Sequence, residues 1–408
     1  MNRPILFQIC VEGNRGSTGT IAESIGVMAM KGGWDSYIAY GRFPRPSQSK
    51  LIRIESKWGV FLHGLQTRLF DRHCLGSKCA TQRLVKEIKE INPDIIHLHH
   101  IHGYYINMKI LFDFLRNANI PVVWTFHDCW SFTGHCGYFD YAKCEKWKTE
   151  CYSCPQKKGY PKSIFIDRSK KNFYLKKYLF TSVQNMTIVP VSNWLANVVR
   201  QSFFKQIPIR TIHNGVDINT FSPQEGANFI RQKYNIDNKL MLLGVATTWD
   251  SRKGLKDYIK LSSYIDEQTM IVLVGLTKAQ IKKLPKGIMG IERTENIQEL
   301  VNLYSTADIL VNLSYEETFG LTIVEAMACG TPAIVYNATA CPEIISLGTG
   351  FAVETGNINA VVEAILSCQA NGKAYYSEAC RERAIKLYDK NVNFFKYIEL
   401  YNSLGGNN

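Results

Sequence analysis

Short apolar runs alternate with stretches of helical periodicity along the whole chain, and this alternation constrains the fold more than any other feature. Stretches such as Ala80–Ile91 place apolar residues at helical spacing between those runs. Short buried strands separated by helices predict parallel sheets that are covered by helices on both faces. The runs predicted as strands are Ile5–Val11, Trp34–Gly41, Asp94–His99, Val122–His127, Thr187–Val191, Leu240–Ala246, Met270–Val274, Ile309–Leu313 and Ala333–Tyr336.

The length of 408 residues exceeds what one hydrophobic core of ordinary size organises, so we expect two α/β domains, each a doubly wound Rossmann-like sheet. We place the N-terminal domain at residues 1–205, the C-terminal domain at 206–375 and a final helical segment at 376–408. Residues from about 130 to 180 interrupt the alternation. We interpret this stretch as a functional insertion, because it holds a cysteine cluster and a basic aromatic run.

The basic charge of the chain is confined to its first half. Residues 1–213 hold 30 Lys and Arg against 14 Asp and Glu, whereas residues 214–408 hold 18 against 21. A basic half of this kind suits nucleic acid, an anionic membrane surface or a phosphorylated substrate. The second half is near neutral, so the chain is not basic throughout.

The segment Ser314–Pro332 carries the strongest functional signal. A predicted strand leads into a loop with Gly320, and a helix follows from about Leu321 to Gly330. The first turn of such a helix offers unpaired amide groups and a partial positive charge, which together suit a diphosphate. Glu317 precedes this helix and Glu325 lies within it, so two carboxylates flank the predicted anion site. We set Glu316 aside because its neighbour Glu317 has the better spacing.

This segment, with Glu-x7-Glu around Phe-Gly-Leu and then Glu-Ala-Met-Ala-Cys-Gly-Thr-Pro, resembles the donor-site signature of retaining glycosyltransferases of family 4. The resemblance spans nearly the whole chain and implies the GT-B fold, in which two Rossmann-like domains face an interdomain cleft. The chain is similar to the bacterial glycosyltransferases that assemble capsule and exopolysaccharide. Further landmarks occur in the family order: Ile212–Asp217, Phe221–Pro223, Lys253-Gly254 and Ala340–Ile345.

The resemblance implies roles for individual residues of the C-terminal domain. Glu325 would bind the ribose hydroxyls, and Glu317 would bind hydroxyls of the donor sugar. Lys253 would neutralise the charge that develops on the leaving phosphate, without any metal or other cofactor for catalysis. Many members of the family carry an arginine where this chain has Thr248, so we expect Arg252 to replace it. The backbone amides expected to hold the diphosphate are those of Phe319, Gly320 and Leu321.

The N-terminal half adds three further candidates. Gly16 and Gly19 lie in the loop after the first strand, and the resemblance places this loop against a phosphate of the donor or against the acceptor. His127 ends a predicted strand and matches a family histidine near the donor sugar, where we expect it to contact a hydroxyl; a purely structural histidine is the alternative. We interpret His97, His99, His100 and His102 as structural or acceptor-lining residues, with metal binding the less favoured reading.

Four cysteines cluster in the insertion, in the pattern Cys-x7-Cys-x6-Cys-x2-Cys. Four thiolates of this kind could hold a structural zinc ion tetrahedrally, although the usual pattern has two Cys-x2-Cys pairs. Free thiols are the alternative. The candidate ligands are Cys136, Cys144, Cys151 and Cys154.

The run Lys157–Lys177 contains eight basic residues and one acid, with apolar residues between them. A basic amphipathic segment suits an anionic membrane surface, and the alternative is a solvated face of a core helix. The short first apolar run has no cleavage site after it, and no apolar stretch is long enough to span a bilayer. We therefore expect a cytoplasmic protein, with possible peripheral contact to the inner face of the cell membrane.

These observations together predict a hexosyltransferase. It would move a sugar from a UDP- or GDP-sugar to a hydroxyl of a glycan, with a polyprenyl-diphosphate-linked acceptor in the basic half and with retention of configuration. One alternative is an epimerase or phosphorylase on the same fold. Another is a non-catalytic nucleic-acid-binding protein, which is disfavoured because no nucleic-acid motif is present and the two carboxylates would have no purpose.

Overall fold

The computed structural model describes residues 3–224, 228–236 and 238–405. The chain divides into two compact units. The N-terminal unit comprises Met1–His213 together with Asn393–Asn408, and the C-terminal unit comprises Asn214–Val392. The acceptor and donor roles assigned to the two domains from the sequence stay predictions.

The N-terminal unit contains a parallel sheet in the order β3-β2-β1-β4-β5-β6. β1 lies in the centre, and the chain leaves it toward β2 on one side and returns to β4 on the other. The carboxyl ends of β1 and β4 therefore form the point where the strand order reverses, which is where ligands bind in doubly wound sheets. The elements are β1 (Ile5–Glu12), α1 (Gly16–Lys31), β2 (Asp35–Arg42), β3 (Lys50–Arg53), α2 (Lys57–Phe70), α3 (Lys78–Ile91), β4 (Ile95–Leu98), α4 (Met108–Asn117), β5 (Val122–Phe126), α5 (Ser169–Phe180), β6 (Met186–Pro190) and α6 (Asn193–Gln201).

The C-terminal unit repeats this arrangement with a parallel sheet in the order β12-β11-β10-β7-β8-β9. Here the order reverses between β7 and β10, so the loops that follow these two strands meet at the predicted ligand position. The elements are α7 (Asn228–Lys233), β7 (Leu240–Val245), α8 (Leu255–Leu261), β8 (Thr269–Val274), α9 (Lys278–Ile281), β9 (Ile288–Ile291), α10 (Ile297–Thr306), β10 (Ile309–Asn312), α11 (Leu321–Ala328), β11 (Ala333–Tyr336), α12 (Cys341–Ile344), β12 (Gly350–Val353), α13 (Ile358–Asn371), α14 (Lys373–Tyr388) and α15 (Lys390–Gly405).

The end of the chain completes the core of the N-terminal unit. Phe394, Ile398 and Tyr401 of α15 pack with Leu6 of β1 and Ile25 of α1 in one buried cluster. Burying apolar surface of this extent anchors α15 to the N-terminal sheet. The final segment therefore contributes to the fold of the unit that begins the chain.

Several features of the fold differ from the sequence-based expectation. The final helical segment expected at 376–408 consists of parts of two helices, α14 and α15, with a break at Asp389, whose extended backbone ends α14. Of the strands, β3, β9 and β12 were not predicted, and neither was the helix α2. Each of these strands is only four residues long, and the apolar stripe of α2 lies on its exposed face.

Candidate active site

The loop between β10 and α11 turns sharply at Gly320. This residue has φ of +101° and immediately precedes α11, and a Cβ there would lie 2.9 Å from Ile323 Cδ1. The positive φ therefore requires glycine at this position. The turn starts a helix whose first amides lack intrahelical acceptors and whose N-terminus carries partial positive charge. The structure thus contains the strand, turn and helix that the sequence predicted for an anion site.

Lys253 reaches this loop from the neighbouring strand connection. Asp250 caps the short turn after β7 by accepting hydrogen bonds from the backbone amide of Lys253, at 3.1 Å, and from that of Arg252, at 3.0 Å. Gly254 follows with φ of +72°, and a Cβ at this position would collide with the carbonyl oxygen of Leu313 at the end of β10. This close approach brings the ammonium group of Lys253 into an ion pair with the carboxylate of Glu317.

The backbone of Glu317 is held by Thr339. The amide of Glu317 donates a 2.8 Å hydrogen bond to Thr339 Oγ1, and the Thr339 hydroxyl donates one of 2.8 Å to the carbonyl oxygen of Glu317. Burial raises the pKa of the Glu317 carboxyl, but the Lys253 ammonium outweighs this effect and holds the pKa below its usual value. Glu317 is therefore an ionised, positioned carboxylate. Sequence reasoning missed Thr339, which lies 22 residues away.

Glu325 lies within α11, and its surroundings differ from those of Glu317. The hydroxyl of Tyr304 in α10 donates a 2.7 Å hydrogen bond to Glu325 Oε2. Burial raises the pKa of Glu325 to about 6, and the Tyr304 hydrogen bond offsets part of that rise. The carboxylate is oriented and remains an acceptor for further hydroxyl groups. Tyr304 was also missed, since nothing in its local sequence distinguishes it from a core tyrosine.

Arg252 lies against the segment that precedes α11. Its Nη1 donates a 2.9 Å hydrogen bond to the carbonyl oxygen of Glu316, and its own carbonyl accepts one of 2.8 Å from the amide of Tyr315. Its positive charge also lowers the pKa of Glu317. A second cation is thus present beside Glu317, near the loop where Thr248 replaces the family arginine. Glu316 itself is buried.

The local backbone itself favours glycine at both positions of the N-terminal loop. Gly16 begins α1 with φ of +63°, and a Cβ on Gly19 would lie 2.7 Å from the carbonyl oxygen of Glu12 at the end of β1. Both glycines therefore let α1 start directly against β1, at the carboxyl edge of the sheet. Contact with a phosphate stays a prediction for both residues.

His127 is linked to Gln8 through His99 at the carboxyl edge of the N-terminal sheet. The Gln8 side chain donates to the carbonyl oxygen of Ala22, so its own oxygen accepts from His99 Nε2 at 3.0 Å. The remaining His99 Nδ1 then accepts from His127 Nε2 at 3.1 Å. Burial lowers the pKa of both imidazoles well below the usual value, which keeps them neutral. This arrangement places the proton of the neutral His127 ring on Nε2.

The other histidines of the cluster separate into two groups. His97 is structural, because its Nδ1 lies 2.6 Å from the Tyr401 hydroxyl and its Nε2 lies 2.8 Å from Thr125 Oγ1. His102 Nε2 lies 2.8 Å from the buried carboxylate of Asp128, and His100 Nε2 lies 3.4 Å from the same oxygen. Among the described residues, this trio has its ligand atoms within 4.8 Å of one another, as a metal ion would require.

Both halves of the chain match models of sugar-transferring families. The model "Glycosyltransferase Family 4" matches residues 30–220, and "Glycosyl transferases group 1" matches residues 227–387. The chain is a glycosyltransferase with a family 4 domain followed by a group 1 domain. The resemblance inferred from Ser314–Pro332 is thereby confirmed, as is the prediction of an enzyme.

Relatives of this glycosyltransferase include proteins named for surface glycan assembly. A protein of Escherichia coli K12, named as the colanic acid biosynthesis glycosyl transferase WcaC, is 23% identical, covering 98% of this chain and 100% of the relative. The N,N'-diacetylbacillosaminyl-diphospho-undecaprenol alpha-1,3-N-acetylgalactosaminyltransferase of Campylobacter jejuni is 27% identical over 56% of this chain and 62% of its own length.

Solved structures establish the GT-B fold predicted for this glycosyltransferase. The sucrose-phosphate synthase of Thermosynechococcus elongatus matches with a TM-score of 0.72 at 18% identity, over the full length of both chains. Anabaena Alr3699/HepE in complex with UDP-glucose matches with a TM-score of 0.68 at 15% identity, over 98% of this chain and 99% of that one. The two six-stranded parallel sheets agree with this fold class.

The four cysteines of the insertion in this glycosyltransferase line one small cavity. A hydrogen bond between Cys136 and Cys154 lowers the pKa of Cys154 to about 7, and burial raises the pKa of Cys151 to about 12. Four thiolates are a ligand set that zinc prefers. The four cysteines, which cluster in the sequence, also lie together in the structure. The side chains are not closed around a common point, however, since among the described residues only the trio at Asp128 has three ligand atoms within 4.8 Å of one another.

The basic run Lys157–Lys177 is not a single exposed amphipathic face, which corrects part of the sequence-based interpretation. Phe173 within the run is buried in the core of the N-terminal unit, as are Leu179 and Phe180 just after it. Lys176 is buried as well, and its ammonium group donates to the carbonyl oxygens of Trp130, at 2.7 Å, and Thr133, at 3.1 Å. In the described part of the chain, no helix is both long and apolar enough to cross a bilayer.

Proposed function

We propose that this glycosyltransferase moves a hexose or related sugar from a UDP- or GDP-sugar to a hydroxyl of a glycan acceptor, with retention of configuration. The observation that carries the proposal is the contact of Lys253 with Glu317 beside the N-terminus of α11. It brings a cation, a carboxylate and first-turn amides together at the point where the strand order of the sheet reverses.

Each group at this position has a chemical task in the proposal. The amides of Phe319, Gly320 and Leu321 bind the diphosphate, and Lys253 stabilises the charge that grows on it as the bond to the anomeric carbon breaks. Glu317, released from Lys253 as the phosphate takes its place, accepts hydrogen bonds from the donor sugar. Arg252 adds positive charge. No metal is required, because the charge stabilisation comes from groups of the chain.

Glu325 binds the ribose diol in this proposal. A carboxylate accepts a hydrogen bond from each of two neighbouring hydroxyls, and Tyr304 fixes its orientation from the other side. His127 contacts a hydroxyl group of the donor sugar, and Gly16 and Gly19 allow a phosphate of donor or acceptor to approach the start of α1. HepE, a solved GT-B relative, binds UDP-glucose, which supports a nucleotide-sugar donor.

We propose a lipid-linked glycan as the acceptor, bound by the basic N-terminal unit in a pathway of surface polysaccharide assembly at the inner face of the cell membrane. The Campylobacter jejuni relative is named for an undecaprenol-diphosphate-linked substrate, and the Escherichia coli relative is named for colanic acid biosynthesis. The phosphate of such an acceptor and the excess of Lys and Arg in residues 1–213 are complementary in charge. Nucleic acid is not part of the proposal.

We also propose that the cysteine cluster holds one structural zinc ion. Cys136, Cys144, Cys151 and Cys154 would be its ligands, after small rotations of side chains that already line one cavity. The ion would stabilise the insertion and would take no part in the transfer.

Nucleotide-sugar screening tests the proposed donor chemistry. Calorimetric titration with a panel of UDP- and GDP-sugars should identify at least one ligand, and release of nucleoside diphosphate should require an acceptor. An epimerase would interconvert the sugars without that release. Absence of binding by every nucleotide sugar in the panel would contradict the proposal.

A further inference from the structure

The helix α2 exposes apolar side chains and buries small and polar ones, which is the reverse of an ordinary surface helix. Its outward face carries Trp58, Phe61, Leu62 and Leu65, whose exposed fractions are 75%, 59%, 59% and 43%. These positions follow the spacing i, i+3, i+4, i+7, which places them in one stripe along the helix. A soluble protein gains nothing by exposing such a stripe to water, so the stripe indicates a surface that is covered by a partner.

The inward face of α2 is small and polar, and it is firmly held. His63 Nδ1 lies 3.0 Å from Ser77 Oγ, and His63 Nε2 accepts a 3.3 Å hydrogen bond from the amide of Gly76. Thr67 is fully buried, and Ser56 caps the helix by accepting from the amide of Gly59 at 2.9 Å. The orientation of α2 is thus fixed by its own contacts, and the apolar residues are held outward.

A second exposed apolar segment continues this surface. The amide of Ile164 donates a 2.8 Å hydrogen bond to the carbonyl oxygen of Arg68, which joins the segment Ile164–Ile166 to the last turn of α2. Phe165 is 69% exposed, and Ile164 and Ile166 are 46% and 41% exposed. We call the stripe of α2 together with Ile164–Ile166 the apolar platform.

The charges around the apolar platform are mostly positive. Lys157 Nζ lies 3.3 Å from the carbonyl oxygen of Phe165, at the edge of the platform. The nearby acids are engaged, because Asp71 is buried against His135 and Asp167 accepts hydrogen bonds from Ser169 and from the amide of Cys154. The exposed cations on α2 and on the adjoining segment are Lys57, Arg68, Lys158 and Lys162.

We propose that the apolar platform inserts into the interfacial region of an anionic phospholipid bilayer. Tryptophan and phenylalanine with a basic rim are suited to this region, where apolar groups enter the acyl boundary and cations meet the headgroups. The proposal moves the membrane contact from the run Lys157–Lys177, which is partly core, to α2 and Ile164–Ile166. It rests on the proposed function only in that a lipid-linked acceptor gives the contact its purpose.

Vesicle flotation of the full chain tests the platform directly. The probes are vesicles of phosphatidylcholine alone and of phosphatidylcholine mixed with phosphatidylglycerol, whose headgroup is anionic. Wild-type protein should bind the anionic vesicles at least tenfold more strongly than the neutral ones, with binding reduced by salt. The triple variant Trp58→Ser, Phe61→Ser, Phe165→Ser should lose that binding at least tenfold. Because these side chains are exposed, the variant should keep its melting temperature.

A matched control and a second readout complete the test. Leu347→Ser with Leu366→Ser removes two exposed apolar side chains from the C-terminal unit and should leave vesicle binding unchanged. Trp58→Phe should keep the binding but abolish most of the blue shift in tryptophan fluorescence that vesicles induce. Equal binding to neutral and anionic vesicles, or full binding by the triple variant, would overturn the proposal. If the wild type is a dimer and the triple variant is a monomer, the platform pairs with a second copy of the chain instead.

The test also separates this proposal from the proposed function. Glu317→Gln should bind anionic vesicles as the wild type does, whether or not it binds a nucleotide sugar. Loss of sugar transfer with vesicle binding intact would contradict only the proposed chemistry, and loss of vesicle binding with donor binding intact would contradict only the platform.

Discussion

The hydroxyl of Tyr304 donates a 2.7 Å hydrogen bond to the carboxylate of Glu325, whose pKa burial raises to about 6. The carboxylate is thus ionised at neutral pH but close to the pH at which it takes up a proton. Glu317, one turn before the same helix, has its pKa held below the usual value by Lys253 despite its burial. Two carboxylates of one site therefore respond differently to pH.

Donor affinity should fall as the pH is lowered through about 6. Only the ionised Glu325 accepts hydrogen bonds from both ribose hydroxyls, so affinity at pH 5 should be roughly tenfold lower than the plateau value. Titration calorimetry with a nucleotide sugar measures this cleanly, because its diphosphate diester has no group that titrates near neutral pH. Glu325→Gln should bind weakly at every pH and lose the dependence.

Tyr304→Phe should move this midpoint to higher pH. The Tyr304 hydroxyl stabilises the ionised form of Glu325, so its removal raises the pKa of that carboxyl further. At pH 7 the variant should bind the donor less tightly than the wild type, and at pH 8 the difference should narrow. A midpoint that moves downward, or affinity lost equally at all pH values, would contradict the assigned role of Tyr304.

Lys253→Ala should affect both stability and turnover. The substitution leaves the Glu317 carboxylate without its close partner, at a cost of about 1 to 3 kcal/mol in the free energy of unfolding. This loss should be present above the ordinary pKa of glutamate and fade as the pH falls below it, since the pair exists only while Glu317 is ionised. Turnover should fall by about 10²-fold or more. The exposed Lys256, changed to alanine, is the control and should show neither effect.

Gly254→Ala should displace Lys253 from the site. The added Cβ meets the carbonyl oxygen of Leu313 at the end of β10, and the residue also has a positive φ. Gly287→Ala is a matched control, because Gly287 has φ of +85° and open space around its Cβ position. Both variants should incur the backbone cost of about 1 kcal/mol. The Gly254 variant alone should lose more stability and also lose donor affinity, as thermal unfolding with and without the nucleotide sugar would show.

Metal analysis of purified protein tests the cysteine site. About one zinc ion per chain should survive dialysis, and Cys151→Ser should reduce both the zinc content and the melting temperature. Cys79→Ser, which changes an exposed cysteine outside the cluster, should alter neither. Zinc well below one per chain in the wild type would show that the four residues are free thiols.

The sequence predicted those parts of the site that are continuous in the chain. The strand, Gly320 turn and helix of α11 follow from local rules, because a glycine with positive φ and a capped helix leave a recognisable pattern. The partners of the carboxylates could not be predicted in this way. Tyr304 reaches Glu325 because α10 packs against α11, and Thr339 reaches Glu317 because β10 and β11 are neighbours in the sheet. Single-sequence patterns do not specify such contacts.

The helix α2 was not predicted and the run Lys157–Lys177 was partly misinterpreted for a related reason. Periodicity identifies an apolar stripe but does not tell whether the stripe faces the core or a partner. In α2 the stripe faces outward and the buried side is His63, Gly64 and Thr67, whereas in α5 the basic Lys176 is buried against backbone carbonyls. In both helices, the tertiary packing determines which side chains are buried, and the sequence pattern does not show that packing.

Binding of a nucleotide sugar to the Glu317→Gln, Glu325→Gln double variant tests the central claim most directly. Titration calorimetry at pH 7.5, a value chosen as about one and a half units above the pKa of Glu325, compares it with the wild type. The account predicts that the wild type binds at least one UDP- or GDP-sugar and that the folded double variant binds it at least a hundredfold more weakly. Equal affinity of the two proteins would show that the donor does not occupy the N-terminus of α11.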